Sequence, residues 1–161
     1  MSNHIEIYTD GSSRGNPGPG GYGTILVFNG KQKELSQGYR HTTNNRMELL
    51  AVIIGLETLK TSTHPIVVYS DSKYVIDSIN NKWVHGWVKT NFKNKKNPDL
   101  WLRWLKIEKQ FNVEYRWVKG HAGHPMNERC DELAVQAALS TDLLIDYEFE
   151  SIQNSENQLF D

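Results

Sequence analysis

The dipeptide Asn29-Gly30 constrains this chain more than any other pair of residues. It is a hairpin turn between two strand-like runs, Tyr22 to Phe28 and Lys31 to Tyr39, which are therefore antiparallel neighbours. Upstream, Ile5-Glu6-Ile7-Tyr8-Thr9 alternates as a strand does and stops at Asp10-Gly11. Between them, Gly15-Asn16-Pro17-Gly18-Pro19-Gly20-Gly21 is a dense turn signal. Downstream the pattern changes to alternation of helix and strand. Asn45 to Lys60 carries a broad apolar helical stripe, and Pro65 to Ser70 is a short continuous β-rich run. Ser72 to Asn81, Trp83 to Lys89 and Pro98 to Gln110 read as helices, and Val113 to Val118 as a fifth strand. Pro125 opens a last helix to about Leu139, because proline is favoured in the first helical turn. The order βββ-α-β-α-α-α-β-α implies an α/β or α+β chain: a five-stranded mixed sheet, three antiparallel strands and then parallel crossovers, flanked by helices.

The 161 residues suffice for one domain with its own core, without disulfides or a structural metal. With 38% hydrophobic and 23% charged residues, the chain is neither disordered nor of low complexity. Its longest apolar run, Leu49 to Leu56, is far too short to span a bilayer, and the N-terminus has no export signal. A single cysteine, Cys130, excludes an intramolecular disulfide and makes the cytoplasm the expected compartment.

The net charge of −1 conceals an uneven distribution. Residues 142–161 contain six acids and no Lys or Arg, which leaves residues 1–141 with 18 basic against 13 acidic residues, or +5. We expect residues 1–141 to be the folded domain and residues 142–161 to be an acidic, flexible tail. Within the body, Lys82, Lys89, Lys93, Lys95 and Lys96 form an acid-free segment interleaved with Trp83, Trp87 and Phe92. That composition suits a nucleic-acid backbone with a sugar or base face, and equally a solvated helix whose tryptophans are core.

Four carboxylates stand in telling places. Asp10 and Asp71 end strands that are side by side if parallel, where α/β sites gather. Glu48 lies one turn into the first long helix, and Asp131 sits on the apolar face of the last one. Each has a plain alternative: a turn at Asp10, a helix cap at Asp71, a capping box joining Glu48 to Asn45, a surface acid at Asp131. Together, four converging carboxylates repel unless a divalent cation joins them. All-oxygen ligands favour Mg²⁺ or Mn²⁺ over zinc. Two such ions about 4 Å apart clamp the attacking and leaving oxygens of a phosphoryl transfer.

These residues lie in five motifs: Asp10-Gly11-Ser12 with the glycine loop to Gly23; Thr42-Thr43-Asn44-Asn45-Arg46-Met47-Glu48; Asp71-Ser72-Lys73-Tyr74; Trp117 to His124; and Asn127 to Asp131. In this order the chain, from about Ile5 to Ala138, resembles bacterial type 1 ribonuclease H. The resemblance implies an α/β ribonuclease H-like fold and an endonuclease that hydrolyses the RNA strand of RNA–DNA hybrids, leaving 3′-hydroxyl and 5′-phosphate ends. It implies two Mg²⁺ ions, with Mn²⁺ as a substitute, on Asp10, Glu48, Asp71 and Asp131. Asp10 and Asp71 bind or bridge both ions, Asp131 holds one, and Glu48 holds the other and contacts a ribose 2′-OH. His121 is the family's mobile histidine, acting in proton relay or product release; His124 is a structural loop residue. Asn16, Asn44 and Ser72 line the hybrid's minor groove, where the 2′-OH separates RNA from DNA. The DNA strand runs past Thr43, Asn44, Asn45 and the basic segment, with Trp83 and Trp87 either packed or stacked on a sugar. The resemblance adds a monomer with no obligate protein partner and no membrane contact.

The chain departs from the family pattern at Ser13, often Cys, and at Lys73, often Gln, which makes a hydrogen bond an ionic phosphate contact. Its loop from Phe92 to Asp99 is shorter, which implies weaker hybrid binding with a milder salt dependence. Two rivals remain: a nonenzymatic hybrid-binding module, which predicts loss of a carboxylate, and a DNA-directed nuclease of the same superfold, which lacks the Thr-Asn-Asn-Arg-Met-Glu and glycine-loop patterns.

Overall fold

The computed structural model describes residues 3–60 and 63–158. The strands are β1 (Ile5–Ser13), β2 (Gly18–Phe28), β3 (Lys31–Thr42), β4 (Ile66–Ser70), β5 (Val113–Trp117) and β6 (Leu143–Leu144). The helices are α1 (Asn44–Thr58), α2 (Lys73–Asn80), α3 (Trp83–Lys89), α4 (Pro98–Glu108), α5 (Pro125–Leu139) and α6 (Tyr147–Gln158). One mixed sheet has the order β5-β4-β1-β2-β3-β6. The pairs β1–β2 and β2–β3 are antiparallel, while β1–β4, β4–β5 and β3–β6 are parallel. The expected mixed sheet is present, with six strands rather than five.

Successive residues of the central strands serve opposite faces. Ile7 and Leu26 join the larger core under α1 and α4, whereas Tyr8 and Ile25 join Cys130 and Leu133 of α5 on the other side. Helix α1 begins at the Thr43 cap, whose side chain accepts from the Arg46 N–H. It is buried between the sheet and α4, so it is apolar nearly all round rather than along one stripe. On α4, Trp101 and Trp104 are fully buried, and their indole N–H groups donate to the Tyr74 and Tyr115 hydroxyls at 2.8 and 2.9 Å.

Strand β2 starts four residues earlier than the glycine-rich sequence suggests, at Gly18 rather than Tyr22. Two of its glycines, Gly21 and Gly23, face α5. A Cβ on Gly21 would lie 2.6 Å from the Ala134 carbonyl oxygen, and one on Gly23 would lie 2.3 Å from that of Cys130. Bare backbone lets an alanine-bearing helix sit directly on the strand. Strand β1 likewise continues past the expected stop, so Asp10 is a strand residue paired with Gly23.

The acidic C-terminal segment, expected as a flexible tail, forms β6 and α6 as far as Gln158; residues 159–161 lie outside the described residues. Strand β6 pairs with Gly38 and Tyr39, and α6 docks on β3. Glu150 holds Arg40 at 2.8 Å, and Asp146 is buried against Arg46 Nε at 2.7 Å with the Thr42 hydroxyl also donating to it at 2.7 Å. The segment is held by specific ion pairs, which a count of its few apolar residues does not register.

Candidate active site

Parallel pairing of β1 with β4, the condition the sequence left open, brings Asp71, the residue after β4, beside Asp10 of β1. Glu48 arrives from α1, where the helix touches β1 at Gly11. The Gly11 N–H donates to Asp10 Oδ1 at 2.9 Å and also to Glu48 Oε1. Carboxylate oxygens of Asp10, Glu48 and Asp71 all lie within 4.8 Å of one another. Asp10 and Glu48 are buried and Asp71 is half-buried. Asn45 does not cap α1, and Glu48 faces the strand instead of the helix end.

The electrostatics are those of carboxylates held together without compensation. Burial pushes the Asp10 carboxyl up to about 7; the hydrogen bond with Glu48 opposes this, and the Asp71 and Asp131 charges add to it. Burial, then the Asp10 charge, hold Glu48 well above the usual carboxylate range. Asp131, half-buried on α5, is not one of the three carboxylates that meet, but its charge reaches Asp10.

The segment after β5 closes over Asp71. Val118 N–H donates to the Ser70 carbonyl at 2.9 Å, and a Cβ on Gly120 would lie 2.6 Å from Asp71 Oδ2. His121 follows at once, exposed and at φ +54°, so its backbone starts at the edge of the carboxylate cluster. His124 packs its ring against Tyr8 at 5.3 Å, in keeping with a structural role.

The other candidate residues surround this centre in two groups. Asn16 Oδ1 accepts from the Asn44 N–H at 3.1 Å, which ties the glycine loop to the start of α1. Thr43 caps that helix, and Asn44 and Asn45 are exposed in its first turn. Ser72 caps α2 and accepts from Val75 N–H at 3.2 Å, and Lys73 follows it, exposed. The second group is the basic segment. Lys89, Lys93, Lys95 and Lys96 are exposed around a loop that Phe92 anchors by burial. Trp83 is 49% exposed. Trp87 packs its edge on Trp101 at 6.0 Å and carries the Lys95 ammonium over its ring at 5.4 Å.

Two contributors escape a reading of the sequence. Arg46, 3% exposed at the side-chain level, pairs with both Asp99 and Asp146 beside Thr43 to Asn45. Its partners are remote in sequence, so no local signal marks it. Trp117, at the end of β5, lies against Asp71 and Lys73; it opens the motif from Trp117 to His124, but nothing local in the sequence assigns it these contacts.

Fold and site together define an α/β protein with an all-oxygen carboxylate centre suited to divalent cations. The family described as RNase H matches residues 2–139. Ribonuclease H of Desulforamulus reducens is 53% identical over 147 residues, covering 88% of this chain and 92% of that one. That of Escherichia coli is 50% identical over 148 residues, covering 89% and 94%. Among solved structures, LC9-RNase H1 superposes with a TM-score of 0.74 at 32% identity, covering 94% of this chain and 81% of that chain. LC11-RNase H1 in complex with an RNA/DNA hybrid gives 0.65 at 30% identity, covering 84% and 99%. The chain belongs to the RNase H family.

Proposed function

We propose that this protein is an endonuclease that hydrolyses the RNA strand of RNA–DNA hybrids with two Mg²⁺ ions, for which Mn²⁺ can substitute. One observation carries the reading: in a member of the RNase H family, three mutually repelling carboxylates, from β1, from α1 and from the residue after β4, meet within 4.8 Å. The donor set fits hard cations, since it offers only oxygens and its charge is uncompensated. Asp10 and Asp71 would bind or bridge both ions, Glu48 would hold one and Asp131 the other. When bound, the ions lower the cost of forming hydroxide and of charge on the departing 3′ oxygen.

The chain's own residues do the rest. The Gly11 N–H fixes Asp10 and Glu48 relative to each other, which presets the ligand geometry. Glu48 also faces the ribose 2′-OH in this reading. Asn16 and Asn44, linked by their hydrogen bond, suit a group that both donates and accepts, and Ser72 completes that minor-groove set. Lys73 meets a phosphate of the RNA strand. Thr43, Asn45, Trp83, Trp87, Lys89, Lys93, Lys95 and Lys96 follow the DNA strand. His121, at the exposed edge, gives a proton to the departing 3′ oxygen or aids product departure, leaving 3′-hydroxyl and 5′-phosphate ends. We read the protein as a cytoplasmic monomer without an obligate partner; its single cysteine is free and buried, and no helix among the described residues is long and apolar enough to cross a membrane.

The test is cleavage of one labelled strand in matched RNA–DNA, RNA–RNA and DNA–DNA duplexes, with Mg²⁺ or EDTA, beside Asp10→Asn. Metal-dependent cutting of RNA in the hybrid alone, lost in the variant, is expected. Hybrid binding without cutting in Mg²⁺ or Mn²⁺ would leave a binding module, and cutting of DNA–DNA would move the protein to a DNA-directed branch.

A further inference from the structure

We infer that Trp117 is a positioning residue of this site, using its indole N–H on Asp71 and its ring face on Lys73. The inference deepens the hybrid-cleavage reading and rests on it. Trp117 ends β5 opposite Ser70, the last residue of β4. It is 44% exposed, an unusual place for a large aromatic whose worth normally lies in burial. Its contacts supply a different reason. The indole N–H donates to the main-chain oxygen of Asp71 at 3.0 Å. The Lys73 ammonium lies over its ring, 5.0 Å from the centroid.

The first contact falls where the backbone gives little support. Asp71 lies between the last residue of β4 and Ser72, the cap of α2, so neither strand nor helix holds it. The register of β4 with β5 ends at Ser70 and Trp117, and the indole bond continues that link one residue further. With Gly120 against the Asp71 carboxylate, residues 117–120 grip Asp71 from its main chain to its Oδ2. A shift of the Asp71 carbonyl therefore moves a metal-binding oxygen. Lys73 has a long, exposed side chain with many rotamers; resting on the ring restricts it to the side of Asp71. There its charge meets an RNA-strand phosphate next to the one being cut.

The two contacts can be separated in the full chain. Trp117→Phe keeps a ring face and loses the N–H; Trp117→Leu loses both; Lys73→Gln loses only the cation. We expect Trp117→Phe to weaken Mg²⁺ binding in calorimetry about fivefold, the size of one lost hydrogen bond. Its kcat should fall similarly, with KM for the hybrid and the salt slope unchanged. Trp117→Leu should show the same Mg²⁺ loss together with a raised KM and a salt slope smaller by about one. Lys73→Gln should reproduce only the KM and salt effects, and adding it to Trp117→Leu should raise KM no further. Wild-type Mg²⁺ affinity in Trp117→Phe overturns the Asp71 half, and additive KM losses in the double variant overturn the Lys73 half. Should Trp117→Leu fail to fold, the conservative Trp117→Phe decides the first half alone, and Trp117→Met, which fills the space without a ring, decides the second by the same comparison with and without Lys73→Gln. A wild-type protein that does not cut hybrids would instead overturn the reading of function, while the Mg²⁺ titration still decides whether Trp117 holds Asp71.

Discussion

Glu48 lies against the main chain of Gly11: the Gly11 N–H donates to its carboxyl, and a Cβ on Gly11 would come within 2.3 Å of the Glu48 nitrogen. This contact joins β1 to α1 and determines how closely Asp10 and Glu48 approach. Backbone occupies the space on both sides, so it cannot yield as a flexible side chain would. Gly11→Ala is expected to lower stability by about 3 kcal/mol, at the upper end for an overpacked core. Urea unfolding measures the loss. The folded fraction of the variant should also bind Mg²⁺ more weakly, because the helix must move away from the strand.

The raised Asp10 carboxyl makes the metal-free protein sensitive to pH in an uncommon direction. An unfolded chain releases this proton near pH 4, whereas the folded protein keeps it until about 7. Between those values the folded state binds more protons, so stability falls as pH rises. In EDTA the loss from pH 4.5 to 7.5 should be on the order of 2 kcal/mol, read from urea midpoints. Asp10→Asn should reduce that slope, leaving the part due to Glu48, and stabilise the metal-free protein at pH 7.5, and Mg²⁺ should flatten it in the wild type. An identical slope in the variant would remove Asp10 as its source.

Much of the site was legible because its signals are local. Asp10 and Asp71 could be set side by side on one condition, that the first and fourth strands are parallel neighbours, and β4 does pair parallel with β1. The motif containing Glu48 was visible, and the plain alternative of a capping box with Asn45 falls away: Thr43, two residues before Asn45, caps the helix directly after the strand ends at Thr42. The start of β2 was hidden because glycine has two uses. At Gly21 and Gly23 it admits α5 onto the sheet, and the sequence writes that in the same letter as a turn. Docking of α6 was hidden for another reason. Its anchors, Asp146 and Glu150, find Arg46 and Arg40 about a hundred residues earlier, and no window of sequence contains both partners.

That docking makes Asp146 a structural residue of the catalytic body. Arg46 is buried and shared between Asp99 at 2.7 Å and Asp146 at 2.7 Å. Removing one partner leaves a buried charge half-compensated, a change that costs about 3 kcal/mol. Asp146→Ala should therefore destabilise the protein by about that amount, and truncation after Thr141 by at least as much, in thermal or urea unfolding. Asp146→Asn keeps an acceptor for the Arg46 and Thr42 donors and should cost less. A truncated chain as stable as the full one would show that the segment is an appendage after all.

Trp83 and Trp87 lie four residues apart in one short helix, and the structure assigns them different work. Trp87 packs edge-on against the fully buried Trp101, so Trp87→Ala removes core packing and should cost about 3 kcal/mol of stability. Trp83 exposes about half its surface beside lysines with no such packing partner in the aromatic cluster, and Trp83→Ala should change stability by less than about 0.5 kcal/mol. Its effect should fall on binding instead: without a stacking face, hybrid affinity weakens by about 1–3 kcal/mol while the salt slope stays the same. Lys93→Gln and Lys96→Gln should do the opposite, each lowering the slope of log affinity against log salt by about 0.9 for every phosphate the lysine neutralises. Fluorescence titrations of a metal-free hybrid complex at several salt concentrations separate the two. If Trp83→Ala lowers the salt slope as the lysine variants do, the indole acts by positioning those cations rather than by stacking on a sugar.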